Sequence, residues 1–205
     1  MVELMFKDDP LVSVLLPVCG EDLEIVEESF SSIAAQTYKN IEIFILDDSG
    51  VGRFEKWSDQ KREKDARVFY VKNWTNMGLT QTLVKGARLC HGDFIARQDA
   101  DDFSLPDRLS YQMEALGSCP ECSFSATSYI SECFDAPRVE RILPDSNSRL
   151  IDALFWRNPI CHSSVVFRRS YYEQCGGYDL RYRVSQDLDL WLKLLSLGEC
   201  AIVKD

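Results

Sequence analysis

The sequence predicts an α/β fold: a mostly parallel central sheet flanked by helices, with a smaller sub-region after it. Three observations predict it. Short β-branched runs alternate with amphipathic stretches through the first two-thirds of the chain. Successive runs are far enough apart for a helix to cross between them, which makes right-handed βαβ units and parallel pairing. Turn-forming or acidic clusters follow several runs, where the strands of such a sheet would end.

Residues 12–16 (VSVLL) form a continuous apolar run that stops at Pro17, as a strand buried on both faces would. Over residues 22–36, Leu23, Val26, Phe30, Ile33 and Ala34 share one helix face. Residues 41–46 (IEIFIL) are the second strand and end in the turn cluster Asp47-Asp48-Ser49-Gly50. A polar helical stretch, 53–64, leads to a third strand at 68–71. Asn76-Met77-Gly78 opens a helix over 79–90, and 94–96 is the core of a fourth strand that runs into Asp99-Ala100-Asp101-Asp102. Pro106 suits the first turn of a helix over 107–116. Residues 124–130 read as a strand on the sheet edge, and the polar stretch 131–149, with Pro137 and Pro144, as an irregular excursion or a short hairpin. A short helix (150–156), a strand (163–167), a helical turn (169–175) closed by Gly176-Gly177, an apolar helix (186–197) and a last strand (201–203) follow. The whole, 1–205, reads as one domain with parts over about 10–105 and 106–205. In open α/β sheets the ligand crevice lies beyond the carboxyl ends of the strands, and residues 17–20, Asp47-Asp48 and 99–102 all fall there.

With 45% apolar and 27% charged residues over 205 positions, the composition is that of a globular domain and excludes disorder and fibres. Lys plus Arg number 23 against 33 Asp plus Glu, a formal charge of −10, with no run of cations dense enough to neutralise a nucleic-acid backbone. No apolar stretch approaches the roughly 20 residues that span a bilayer. Residues 1–10 carry Glu3, Asp8 and Asp9 and lack a basic leader, so no signal peptide is expected. The expected setting is cytoplasmic, with peripheral association at the inner face of the membrane left open. There the eight cysteines should mostly be reduced core fillers. Cys119 and Cys122 are tightly spaced, but neither Cys133 nor His91 and His162 falls at the spacing a zinc site would need.

Asp99-Ala100-Asp101-Asp102 is the sharpest chemical feature. Three carboxylates within four residues repel one another, so a fold that holds them together needs a cation or solvent to compensate. Hard oxygen ligands suit Mg²⁺ or Mn²⁺, while an N-cap for the following helix is the plain structural alternative. Asp47 and Asp48 are open between a turn and a ligand contact, and Asn76 and Gly78 between a helix entry and a binding loop. Asp187, near the start of an apolar helix, reads as a cap or as a general base kept ionised by the helix dipole. His162 is open between a satisfied core histidine, a phosphate contact and a metal ligand, and Trp191 between core and pocket wall.

Taken in order, several segments resemble family 2 glycosyltransferases with the GT-A fold, a Rossmann-like architecture, especially bacterial enzymes that build surface polysaccharides. They are VSVLLP at 12–17, Ser31-Ser32-Ile33 with Gln36-Thr37-Tyr38, residues 41–49, Asn76-Met77-Gly78-Leu79, GDFIARQDADD at 92–102 and LPDRL at 105–109. HSSVVFR at 162–168, Gly176-Gly177-Tyr178-Asp179 and Gln186-Asp187-Leu188-Asp189-Leu190-Trp191 continue the match over nearly the whole chain. The resemblance implies inverting transfer of a sugar from a nucleotide diphosphate sugar, most often a UDP-sugar, to a hydroxyl of a glycan or lipid-linked glycan acceptor. It makes 10–105 the nucleotide-binding part and 106–205 the acceptor side. It implies a divalent ion, Mn²⁺ or Mg²⁺, held by Asp102 with Asp101 nearby. Asp48 would contact the uridine, with Pro17 and Cys19 lining the base pocket, and Asn76, Gly78, Asp99, Asp101 and His162 would complete the nucleotide-sugar site. Asp187 would be the general base. Two positions depart from the family pattern: Cys19 stands where an aromatic residue is common, and Gln186 replaces the usual Glu. Family members also continue past the apolar helix, so a truncated domain is expected. A catalytically silent nucleotide-sugar-binding module of a larger polymerase is the alternative. A nucleotidyltransferase is disfavoured because residues 17–22 are acidic and hold one glycine, where a triphosphate needs a basic, glycine-rich loop.

Overall fold

A computed structural model describes residues 6, 9–133 and 136–204. Most of the N-terminal stretch and the Cys133 side chain lie outside the described residues. A seven-stranded sheet has the order β3-β2-β1-β4-β8-β5-β9, from β1 (Val12–Val18), β2 (Ile41–Asp47), β3 (Val68–Lys72), β4 (Phe94–Arg97), β5 (Cys122–Thr127), β8 (Val165–Arg168) and β9 (Glu199–Val203). Strands β6 (Tyr129–Cys133) and β7 (Ala136–Arg141) form a separate antiparallel hairpin. All pairings in the large sheet are parallel except those of β8, which runs against both β4 and β5.

Alternation along the strands sends side chains to two cores. Val12, Val14 and Leu16 face α1 (Leu23–Ala34), α2 (Glu55–Lys64) and α4 (Arg108–Ser118), whose Val26, Phe30, Ile33, Trp57, Met113 and Leu116 complete one apolar cluster. Leu15, Phe44 and Leu46 face the other side, with Leu83 of α3 (Leu79–Leu89) and Leu150 and Leu154 of α5 (Asn147–Trp156). Tyr172 of α6 (Arg169–Gln174) and Leu190, Trp191 and Leu194 of α7 (Gln186–Leu195) finish that second cluster. The strand order reverses direction between β1 and β4, and the crevice beyond their carboxyl ends is where such sheets take ligands.

The mostly parallel sheet agrees with the sequence reading, and several details correct it. Strand β1 continues through Pro17 to Val18: β4 pairs with β1 only as far as Leu15, so at Pro17 the missing N–H deprives no neighbour on that side. The stretch expected as one edge strand is broken at Ser128. β5 lies inside the sheet between β8 and β9, and the chain after Ser128 leaves as the hairpin. Residues 162–164 form a 3₁₀ turn ahead of β8, so Ser163 and Ser164, expected within the strand, precede it. Cys119 and Cys122 are joined in a disulfide at the junction of α4 and β5, not reduced as expected, whereas Cys90 and Cys200 are buried free thiols, as core fillers should be.

Candidate active site

Three loops build the first corner, at the ends of β1, β2 and β3. Asp47 ends β2 and Asp48 follows it, and the two carboxylates take different partners. The Asp47 carboxylate accepts from the Ser49 amide (2.9 Å), the Phe54 amide (3.1 Å) and the Tyr70 hydroxyl (2.8 Å), so it builds the turn. Asp48, 4% exposed, accepts from Asn73 Nδ2 and the amides of Met77 and Gly78, each at 2.8 Å. It therefore holds the 76–78 loop against β2, a task that the resemblance did not imply. Gly78 has φ +83° and ψ 158°, and a Cβ there would meet nothing within 4 Å, so backbone conformation rather than space requires glycine. Asn76 Nδ2 donates to Cys19 Sγ at 3.1 Å, and burial first, with Asp48 and Glu21 adding, raises the Cys19 pKa and keeps it a thiol. Pro17 is buried in β1 beneath this corner, opposite Leu46.

The acidic loop begins at the end of β4, and its backbone is clamped from α1. Gln98 Nε2 donates to Asp102 O (2.7 Å), and Ser29 Oγ donates to Asp99 O (2.8 Å). Gln36 bridges Ser32 O (3.0 Å) and Leu105 O (2.8 Å) and accepts from the Leu109 amide (3.0 Å). The segments Ser31-Ser32-Ile33, Gln36-Thr37-Tyr38 and LPDRL that carry the family resemblance are thus the fastening of this loop, not its chemistry.

The compensating charge for the loop is internal. Arg97, 0% exposed, donates from Nη2 to Asp99, from Nη1 to Leu15 O (2.8 Å) and Gln98 O (3.1 Å), and from Nε to His162 Nε2 (3.1 Å). Ser163 Oγ adds a bond to Asp99 Oδ2 (3.1 Å) and accepts from the Asp99 amide (2.7 Å). Burial alone would raise the Asp99 pKa, but the Arg97 charge, with the Ser163 hydrogen bond, lowers it below the usual carboxylate range. Asp101 is exposed, while burial, with the charges of Asp99 and Asp101, raises the Asp102 pKa. The side-chain partner of Asp102 is the Cys161 thiol at 3.9 Å, itself pushed up to about 11 by burial and then by Asp102. Behind them Arg108 donates from Nη1 to Arg97 O (3.1 Å), Gln98 Oε1 (3.3 Å) and Ser163 O, with its Nε and Nη2 unpartnered.

His162 lies inward. Its Nε2 accepts from Arg97 Nε, so the Tyr178 hydroxyl at 2.7 Å donates to the same atom, and the ring proton sits on Nδ1. Burial, then the Arg97 charge, pushes its pKa down to about 3, so the ring is neutral. That arrangement matches the core reading of His162 and leaves no imidazolium for a phosphate. Trp191, 0% exposed, stacks on Phe124 and meets His162 edge-on, so it too is core. Asp187 lies in the first turn of α7 and accepts from Asn158 Nδ2 at 2.7 Å, while its neighbour Gln186 is buried with Oε1 unpartnered. Thr80 Oγ1 donates to Tyr182 O at 2.8 Å, tying the helix after Gly78 to the loop before α7. Sequence reasoning missed Arg97, Ser163, Tyr178 and Asn158. A cation inside an apolar strand, two residues before an acidic run, was the available signal for Arg97.

Among the described residues no three His, Cys, Asp or Glu side chains converge as a ready-made metal cage. Asp99 is committed to Arg97 and Ser163, which leaves Asp101 and Asp102 without a cationic partner. Two hard carboxylate donors at a strand end fit a divalent ion that takes its other ligands from phosphate oxygens and water.

Residues 13–176 match the sequence model of the family described as Glycosyl transferase family 2. The chain is 32% identical over 192 residues to the putative glycosyltransferase EpsE of Bacillus subtilis, covering 92% of this chain and 68% of that protein. It is 30% identical over 191 residues to the amylovoran biosynthesis glycosyltransferase AmsE of Erwinia amylovora, covering 92% and 71%. Among solved structures, S. aureus TarS 1–349 in complex with UDP-GlcNAc superposes with a TM-score of 0.77 at 15% identity, over 95% of this chain and 56% of that one. The mannosyltransferase PcManGT of Pyrobaculum calidifontis, in complex with GDP-Man and Mn²⁺, gives 0.69 at 15% identity, over 97% and 57%. The chain thus spans a little over half the length of these solved structures and about two-thirds of the two relatives.

Proposed function

The chain belongs to glycosyl transferase family 2, and from that premise we propose that it is an inverting, divalent-metal-dependent enzyme of polysaccharide biosynthesis, moving a sugar from a UDP-sugar to an acceptor hydroxyl. One observation carries the reading: Arg97 removes Asp99 from the acidic loop's charge balance, while Asp101 and Asp102 keep theirs free. Neither carboxylate caps the next helix, whose N-cap is Asp107. Asp102, with Asp101, would hold Mn²⁺ or Mg²⁺ against the diphosphate; when bound, the ion neutralises charge that develops on the leaving group.

The chain's own side chains do the rest. The corner of Pro17, Cys19, Asp48, Asn76 and Gly78 takes the nucleoside, with Asp48 fixing the loop that closes over it. Asp99, held rigid by Arg97 and Ser163, faces the ribose or the donor sugar. Asp187 accepts the acceptor hydroxyl's proton as that oxygen attacks the anomeric carbon from the face opposite the diphosphate. Asn158, bonded to one Asp187 oxygen, leaves the other for this task. His162 acts as a positioning residue, because Nε2 is shared between Arg97 and Tyr178.

The test is a panel of nucleotide sugars screened for thermal stabilisation with and without Mn²⁺, since a ligand that binds only the folded chain raises its stability. Stabilisation by a UDP-sugar that requires the metal is expected. Stabilisation only by GDP-sugars would replace the donor assignment, and metal-independent binding would overturn the role of Asp101 and Asp102.

A further inference from the structure

Three segments of the second half pair bulky apolar side chains with an arginine: Arg141-Ile142 at the end of β7, Phe155-Trp156-Arg157 at the end of α5, and Tyr182-Arg183-Val184 before α7. The apolar members stand in water, with Ile142 71%, Phe155 80%, Trp156 91% and Val184 77% exposed. Among the described residues Arg141, Arg157 and Arg183 make no ion pair, although nearby Arg138, Arg149 and Arg181 each pair with a carboxylate.

The topology places all three on one edge. β5 runs parallel to β4, so the hairpin that follows it starts at the carboxyl edge, where Arg141 sits opposite Tyr129. β8 is antiparallel, so the chain leaving α5 enters it from that edge. α7 returns the chain to β9, parallel to β5, so the loop before α7 lies there too. Burial first raises the Tyr129 pKa, and the charges within reach of its phenol include Cys161, Arg141, Arg157 and Asp102, so both arginines lie on the side of the chain that carries the acidic loop.

A chain of net charge −10 is repelled by an anionic surface unless its free cations are gathered on one side. Here three cations without an acidic partner, Arg141, Arg157 and Arg183, stand together with exposed aromatic and aliphatic side chains, which is the chemistry of an interfacial contact: apolar groups at the acyl boundary and guanidinium groups on headgroup phosphates. We propose that this edge docks on an anionic lipid bilayer, with Ile142, Phe155, Trp156 and Val184 entering the interface and Arg141, Arg157 and Arg183 on the phosphates. The crevice then opens toward the membrane. The proposal does not depend on the donor assignment.

The test is co-sedimentation with phosphatidylcholine vesicles with and without phosphatidylglycerol. Salt-sensitive binding to the anionic vesicles is expected. At about fivefold per arginine, Arg141→Gln with Arg157→Gln and Arg183→Gln should weaken it by about a hundredfold. Phe155→Ser with Trp156→Ser should lose binding at low salt as well. In a Trp74→Phe background, brominated lipid should quench Trp156, because Trp57 and Trp191 are 8% and 0% exposed. Unchanged circular dichroism and nucleotide binding in these variants would show that the fold is intact. Equal binding to neutral vesicles, absence of quenching, or self-association that the Phe155 and Trp156 changes abolish would each overturn the proposal. Failure of nucleotide binding in every protein alongside intact lipid binding would instead strike the functional reading.

Discussion

Arg97→Met removes a fully buried guanidinium while keeping most of its volume, and the cost can be worked from its partners. Leu15 O still accepts from the Gln98 amide at 3.1 Å, and Asp99 keeps Ser163 Oγ, so two of the four contacts are partly covered. Asp99 itself is left charged beside Asp101 and Asp102 with no cation. Removing one member of a buried pair costs about 3–5 kcal/mol. With a urea m-value of about 3 kcal/mol/M, the unfolding midpoint should fall by about 1–1.7 M. Adding Asp99→Asn removes the orphaned charge, so the double variant should be more stable than the sum of the single changes by about 1.5–3 kcal/mol. Urea denaturation followed by far-ultraviolet circular dichroism at neutral pH measures all four corners of the cycle. A single change costing under about 1 kcal/mol, or strict additivity, would refute internal compensation of the acidic loop.

Three further outcomes follow from the same geometry. His162 has a folded pKa of about 3 against about 6.5 unfolded, so the unfolded chain takes up its proton first, and stability falls as pH drops from 6.5 toward 3. Between pH 6.5 and 5, wild type should lose about 1.6 kcal/mol more in total than His162→Gln, and parallel stability curves would contradict a neutral buried ring. Gly78→Ala places a Cβ in open space but on a backbone that suits only glycine, so urea unfolding should show a loss of about 1–3 kcal/mol; no loss would mean that the loop can relax. Asp102→Asn should weaken UDP binding in Mn²⁺ but not in chelator, as read by calorimetry, and wild-type affinity in Mn²⁺ would remove Asp102 as a ligand.

The parallel half of the sheet was legible because its signals are local. Continuous apolar runs and helix faces of period 3.6 fixed β1 to β4 and the helices between them, and the ends of those strands located the crevice. The antiparallel β8 and the break at Ser128 were not legible, since pairing direction and a change of sheet depend on contacts far along the chain. Within the site, Asp101, Asp102 and Asp187 stood out as carboxylates at element ends. The sequence could not divide Asp47 from Asp48, or Asp99 from its neighbours, because that division lies in partners 23 to 64 residues away, such as Tyr70 and Ser163. His162 shows the same limit: a histidine before a strand reads alike as ligand and core, and only Arg97 and Tyr178 on one nitrogen settle its protonation.

In the proposed mechanism a carboxylate at the start of α7, Asp187, takes the acceptor's proton while the corner at Asp48 holds the donor. Its most direct test is the turnover of the donor found in the nucleotide-sugar panel, measured for Asp187→Asn beside wild type. A fall in kcat of about 10²–10⁴-fold with donor affinity unchanged is expected. Turnover within tenfold of wild type at equal affinity would contradict it.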